Sequence, residues 1–235
     1  MELFGIRRKV FRRWVDDGMP VKKEGRAYRT YKITLVEPIL GSLPSQRQVY
    51  QDLVAARAPE PEVEGVEEAA MLPAGADERT TVFLRNKDGW CSILDYQFFG
   101  FLKEAGNTLK DIVQHETMVK RTKTTKQGIA ALRNKLTRYL FCGPRIIPLQ
   151  KEPNGIFRRP LRRITKDGPM SCIATSELIN AGVSFDVWIG LLPHSEVQWG
   201  VIEQLLEYGQ MKGLGQFRGG GFGRFAFDLV SRSAM

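Results

Sequence analysis

From Val183 to Leu191, the apolar residues Val183, Phe185, Val187, Ile189 and Leu191 alternate with Ser184, Asp186, Trp188 and Gly190. Successive side chains leave a strand on opposite sides, so this period of two predicts a half-buried strand. Pro193 ends it, and Ser195 and Glu196 open a predicted helix. Val197, Val201, Ile202, Leu205 and Leu206 give that helix one apolar face. A glycine-rich loop occupies 213–223, and Phe225, Phe227 and Leu229 mark a final strand. Near the other end, Tyr31–Val36 predicts a strand with Tyr31, Ile33 and Leu35 on one face. Pro38 and the run Gly41-Ser-Leu-Pro44 break it. Ser45 is a suitable N-cap for a helix carrying Val49, Tyr50, Leu53 and Val54. Thr80–Leu84 predicts a second strand, followed by a turn at Asn86-Lys-Asp-Gly89. Tyr96–Ala105 predicts a short helix whose Phe98, Phe99, Phe101 and Leu102 belong to the core. Met118–Arg138 is polar without periodicity, and Tyr139–Ile147 predicts a strand.

The order strand, helix, glycine-rich loop, strand is that of the second half of a ferredoxin-like unit, and the first half of the chain repeats it in outline. The expected fold is α+β and ferredoxin-like (RRM-like, βαββαβ), in one or two units, with an acidic loop insertion and basic loops.

Charge divides the chain into blocks. The net charge of +9 over 235 residues makes polyanions the leading class of partner. Between Met1 and Lys32 stand ten bases and four acids. Phe4, Ile6, Val10, Phe11, Trp14 and Val15 recur among them, so 1–30 reads as a basic amphipathic arm. The alternative is that translation starts at Met19 and the arm is dispensable. The main domain is expected over 31–235, with halves at 31–150 and 170–235. Ala58–Glu78 holds seven acids and no base, and reads as an exposed acidic loop facing away from any phosphate site. Met118–Lys166 holds fourteen bases and one acid. Its clusters Lys120, Arg121, Lys123, Lys126 and Arg158, Arg159, Arg162, Arg163 predict thumb-like loops closing over a bound strand. Three scattered cysteines without a CxxC pair argue against a disulfide framework and a Cys-based zinc site. No apolar run is long enough to span a membrane, and a cytoplasmic protein of a prokaryotic or phage-infected cell is expected.

The segment Gly213-Leu-Gly-Gln-Phe-Arg-Gly-Gly-Gly-Phe-Gly-Arg224 carries the sharpest signal. Glycines let a backbone approach a sugar-phosphate chain and present N–H groups to it. No Gly-Lys-Ser/Thr follows, which excludes a Walker loop, and the helix-before-strand order excludes a dinucleotide fingerprint. The expected nucleic-acid contacts are Gly213, Gly215, Gln216, Arg218, Gly219, Gly220, Gly221, Gly223 and Arg224, together with the two basic clusters. Phe217 and Phe222 either stack on bases or pack inward. Gly213-Leu-Gly, five residues and Gly221-Phe-Gly fit the GhGxxxxxGhG pattern of the RAMP (repeat-associated mysterious protein) superfamily of CRISPR-associated proteins. The stretch Thr175–Ile189, with Glu177, Gly182 and Phe185 in order, also resembles that superfamily. The resemblance covers about Ile173–Val230 and implies ferredoxin-like domains that bind or cleave guide RNA. Tyr31–Pro44 is similar to a family of phage and prophage proteins.

The RNA-cleaving branch of the superfamily often works without metal, through a histidine in the N-terminal half. This chain has His115 and His194 only, with none in its first 100 residues, so it departs from that pattern. His194, in Leu-Pro-His-Ser at the end of a strand, reads as a capping or surface residue. His115 reads as a solvated histidine beside the basic block, or as a general acid or base assisted by Lys120 or Arg121. No HxxxH, HExxH or DxD cluster points to a metal, and no cofactor is expected. The expected function is non-catalytic binding of RNA or single-stranded DNA, with self-association along the strand or in a ribonucleoprotein. The alternatives are a metal-independent endoribonuclease and a phage protein that grips a host protein.

Overall fold

A computed structural model describes residues 27–53, 64–75, 80–119, 122–166 and 168–233. Most of the expected arm, including Met19, lies outside the described residues, as do Lys120 and Arg121. Strands β1 (Ala27–Leu35), β2 (Ile39–Leu40) and β3 (Leu43–Pro44) lead to helices α1 (Arg47–Leu53) and α2 (Glu64–Ala70). Next come β4 (Thr80–Val82), β5 (Leu84–Arg85), β6 (Cys91–Leu94) and helix α3 (Asp95–Leu109). A hairpin of β7 (Gln114–Val119) and β8 (Thr122–Gln127) precedes helix α4 (Leu132–Tyr139). Strands β9 (Leu140–Gly143), β10 (Ile146–Pro148), β11 (Gly155–Thr165), β12 (Gly168–Ile179) and β13 (Ser184–Leu191) follow. Helix α5 (Trp199–Lys212), a 3-10 turn at Arg218–Gly220 and strand β14 (Phe225–Ser233) complete the fold. It is mixed α+β and rich in sheet.

One helix-packed layer is a four-stranded antiparallel sheet ordered β14-β1-β13-β9, beside a five-stranded sheet in which β11, β12, β4 and β3 lie in that order and β2 also pairs with β12. Numbered by appearance, the strands of the four-stranded sheet run 4-1-3-2, with α3 between the first and second and α5 between the third and fourth. Tyr31, Ile33, Leu35, Phe185, Val187, Ile189 and Phe225 form a core with Phe98, Phe101 and Leu102 of α3 and Val201, Ile202 and Leu205 of α5. Burying each such side chain contributes roughly 1.5–3 kcal/mol. The first strand sits between two strands from the C-terminal part, so the two expected halves share one sheet. Helix α3 starts where the Asp95 carboxylate accepts the Tyr96 N–H at 2.6 Å and Gln97 reaches back to the Leu94 N–H at 2.8 Å. Helix α5 starts at Trp199, later than Ser195, because His194 Nδ1 accepts the N–H groups of both Glu196 and Val197 in a capping turn.

Four expectations are corrected. The acidic stretch is not simply an exposed loop: it contains α2, whose Glu68 and Ala69 are buried against a second core of Leu43, Tyr50, Val82 and Leu94. The strand expected over Tyr139–Ile147 is two strands, with helix α4 ending at Tyr139 and Arg145 turned inward between them. The basic thumbs are β-hairpins, β7–β8 and β11–β12, not irregular loops. The face of β13 opposite the helices is not all solvated: Trp188 is buried over Gly143 and meets Tyr28 edge-on at 6.2 Å.

Candidate nucleic-acid interface

The glycine-rich loop is folded back on itself and sewn to the first strands. Gly213 closes α5 with φ 82° and ψ 178°, a conformation open essentially to glycine alone. A Cβ there would run into the backbone of Phe222 and Gly223, and one at Gly223 would run into Leu214 O. The Leu214 N–H donates to Gly223 O at 2.8 Å, and the Gly223 N–H donates to Pro38 O at 2.7 Å. These glycines close the loop. Gly215 lies against Ile39 and Leu40, and Gly220 under the Phe217 ring. Gly219 is exposed with open space around it, and Gly221 is half-buried with φ 88°. Gln216 is not free to meet a ligand: its Nε2 contacts Gly41 O at 2.5 Å and Thr81 Oγ1 and Ser176 Oγ at 2.6 Å each. Arg218 Nη2 binds Glu104 Oε2 at 2.5 Å, whereas the Arg224 side chain is exposed.

The hairpin β11–β12 meets this loop through aromatic rings. Phe157 stacks on Phe217 at 6.1 Å and contacts Phe222 at 4.8 Å, and Phe217 stacks on Phe222 at 5.6 Å. The Arg159 guanidinium lies 3.8 Å over the Phe217 ring. Both phenylalanines of the loop therefore pack against the hairpin while keeping part of their surface. The inner end of β12 is fixed by pairing with β4 at Thr175–Ser176 and with β2 at Leu178–Ile179. Beyond it the ribbon projects outward. Arg158 and Arg162 are exposed on one face of it with Ile156, Ile164 and Ile173. Neither arginine has an ion pair among the described residues. Arg163 stands in β11 opposite Met170.

The other basic cluster is built differently. Lys123 and Lys126 are exposed on β8, and Lys123 reaches Glu116 at 3.3 Å. The hairpin is held by α5: Gln204 accepts the Gln114 N–H at 2.9 Å and donates back to Gln114 O at 2.8 Å. Among the described residues, no hydrogen bond or ion pair joins this hairpin to the glycine-rich loop. His115 is buried rather than solvated, because β7 turns it inward, where its Nε2 lies 3.1 Å from Gly128 O. Its Nδ1 has no hydrogen-bond partner among the described residues. Burial pushes the Cys91 thiol up to about 12, which leaves no thiolate for attack at neutral pH. Among the described residues, no group of three or more His, Cys, Asp or Glu is placed to hold a metal ion.

Sequence reasoning named Arg159 but not its place over the Phe217 ring, and it missed Phe157 and the polar residues of a cleft beside the loop. Ser42, Lys103 and Gly215 line a cleft of about 620 Å³ with Tyr96 and Arg218, between α3 and the glycine-rich loop. Glu104, the next residue after Lys103, also approaches Lys212 at 4.0 Å. The opposite face of the sheet offers a cleft of about 820 Å³ lined by Thr30, Lys32, Ser184, Asp186 and Trp188. There Lys32 pairs in register with Asp186 on one side and Asp228 on the other, which disfavours phosphate. No protein-family model and no curated protein matches the chain. No helix among the described residues is long and apolar enough to cross a membrane.

Proposed function

We propose that this protein binds RNA or single-stranded DNA without cutting it, along the surface shared by the glycine-rich loop and the β11–β12 hairpin. The observation that carries the reading is the aromatic junction of Phe157, Phe217 and Phe222 under Arg159. It joins a ribbon of unpaired arginines to an exposed glycine turn. Cations without partners suit phosphates, and partly exposed rings suit bases. The 4-1-3-2 strand order with α3 and α5 as crossovers supports a ferredoxin-like reading, and with the Gly213–Gly223 spacing it supports membership of the RAMP superfamily. A place in the cytoplasm and self-association along the strand belong to the same proposal.

The test is titration of a fluorescent oligouridine and an oligothymidine across a salt series. Each phosphate contact on a single strand adds about 0.7 to the log–log salt slope. The triple variant Arg158→Ala, Arg162→Ala, Arg224→Ala is expected to lose about 2 from that slope. A wild-type slope near zero, or a triple variant that binds as the wild type does, sinks the proposal. Labelled RNA incubated with the protein is expected to keep its length.

A further inference from the structure

Arg218 is the cation of the glycine-rich loop that lines the α3 cleft, and its guanidinium is already engaged by a carboxylate. Glu104 Oε2 sits 2.5 Å from Arg218 Nη2, and Glu104 Oε1 sits 4.0 Å from Lys212 Nζ. The carboxylate thus bridges the last turn of α5 and the 3-10 turn of the loop. Its side chain is 36% exposed, and that of Arg218 is 25% exposed. A pair this open to water is weak, so another anion can displace the carboxylate. The cleft beside it has room for one: about 620 Å³, lined by the Ser42 side chain, Lys103, Arg218 and the backbone of Gly215. The Ser42 Oγ accepts from Gln97 Nε2 at 2.6 Å, which leaves its own proton to donate. Tyr96 also lines the cleft.

We infer that Glu104 is an internal competitor for phosphate: it holds Arg218 and Lys212 in the free protein and yields them to a phosphodiester that enters the cleft between Ser42, Lys103 and Gly215. This rests on the nucleic-acid reading above and adds its regulation. The Arg218 guanidinium meets Glu104 through one nitrogen only, so a phosphodiester that presents both of its non-bridging oxygens can take the guanidinium bidentately in its place. The carboxylate sets a threshold: an isolated anion must displace it alone, while a strand already held by Arg158, Arg162 and Arg224 does so from a high local concentration.

Glu104→Gln keeps the shape of the side chain and removes its charge. The variant is expected to bind an oligouridine about threefold to tenfold more tightly than the wild type, with an unchanged melting temperature. In an Arg218→Ala background the same substitution is expected to change affinity by less than about twofold, since the cation Glu104 binds closely is gone and only Lys212, 4.0 Å away, is left to release. Asp228→Asn, on the opposite face of the sheet, makes the same change in net charge and is expected to change nothing. If the wild type binds and Glu104→Gln binds equally or more weakly, the inference is overturned and the binding surface stands. An equal gain from Asp228→Asn, or an equal gain without Arg218, also overturns it by reducing the effect to net charge. If neither wild type nor variant binds, the functional reading falls, and this falls with it.

Discussion

Arg145 and Arg158 belong to the same base-rich block of sequence, and the fold treats them in opposite ways. Arg145 is 7% exposed. Its Nε and Nη2 bind both oxygens of Glu68 at 2.7 and 3.2 Å, and its Nη1 binds Asp95 at 2.8 Å. Tyr50 donates to the same Glu68 at 2.8 Å, and each of the three guanidinium nitrogens has a carboxylate partner. Arg158 stands exposed on a projecting ribbon without an ion pair among the described residues. Buried charge must be paired because desolvation costs several kcal/mol per ion. Exposed charge has no such constraint and stays available to a ligand. Local composition does not distinguish the two; the presence of an acid across the fold does.

The sharpest way to break the comparison is to delete each arginine. Arg145→Ala leaves the buried Glu68 and the half-buried Asp95 without their cation, and is expected to cost about 3–5 kcal/mol of stability by denaturant unfolding. The burial of Asp95 already pushes its carboxyl up, so removing Arg145 drives it further toward the protonated form. Arg158→Ala together with Arg162→Ala is expected to stay within about 0.5 kcal/mol of wild type. A large loss from the second pair would mean that the ribbon's charges are structural, and would remove the physical basis for reading them as a binding surface.

A smaller effect divides the glycines in the same manner. Gly213→Ala meets backbone at a φ and ψ that alanine avoids, and is expected to cost roughly 2–4 kcal/mol. Gly219→Ala meets open space, and is expected to cost under about 1 kcal/mol while weakening oligonucleotide binding. Thermal melting and the same titration give both readouts.

The sheet and its two packed helices were legible in the sequence because each element buries one face, which writes a period into the chain. Tyr31, Ile33 and Leu35, like Phe185, Val187 and Ile189, all land in one core as the alternation predicts. The β11–β12 ribbon was not legible, because both of its faces are exposed beyond the base and no apolar period results. The role of Glu68 was hidden for the converse reason: seven acids between Ala58 and Glu78 read as solvated, and only the inward turn of Arg145 explains why one is buried. The site was legible in part. Spacing singled out the glycine-rich loop, but it could not separate Gln216, spent on three internal contacts, from Arg224, which is exposed. Glu104 left no signal, since an ion pair between distant segments has no local pattern.

Between these extremes stands a pair half open to water, and it carries the smallest expected effect. Lys135 of α4 donates to the Glu196 carboxylate, and this hydrogen bond holds the carboxyl below its usual range. A carboxyl whose folded value is depressed stabilises the protein fully above its unfolded value, near 4.3 for glutamate, and loses that contribution as pH falls through the lower folded value. Lys135→Ala is therefore expected to cost under about 1 kcal/mol at pH 7, and progressively less once the pH drops below about 4. High salt should shrink the same difference, which it would not do for Arg145. If the cost were constant with pH, the loss would come from packing of the lysine stem against α4 instead of from charge, and the pair would join neither the buried network nor the open ribbon.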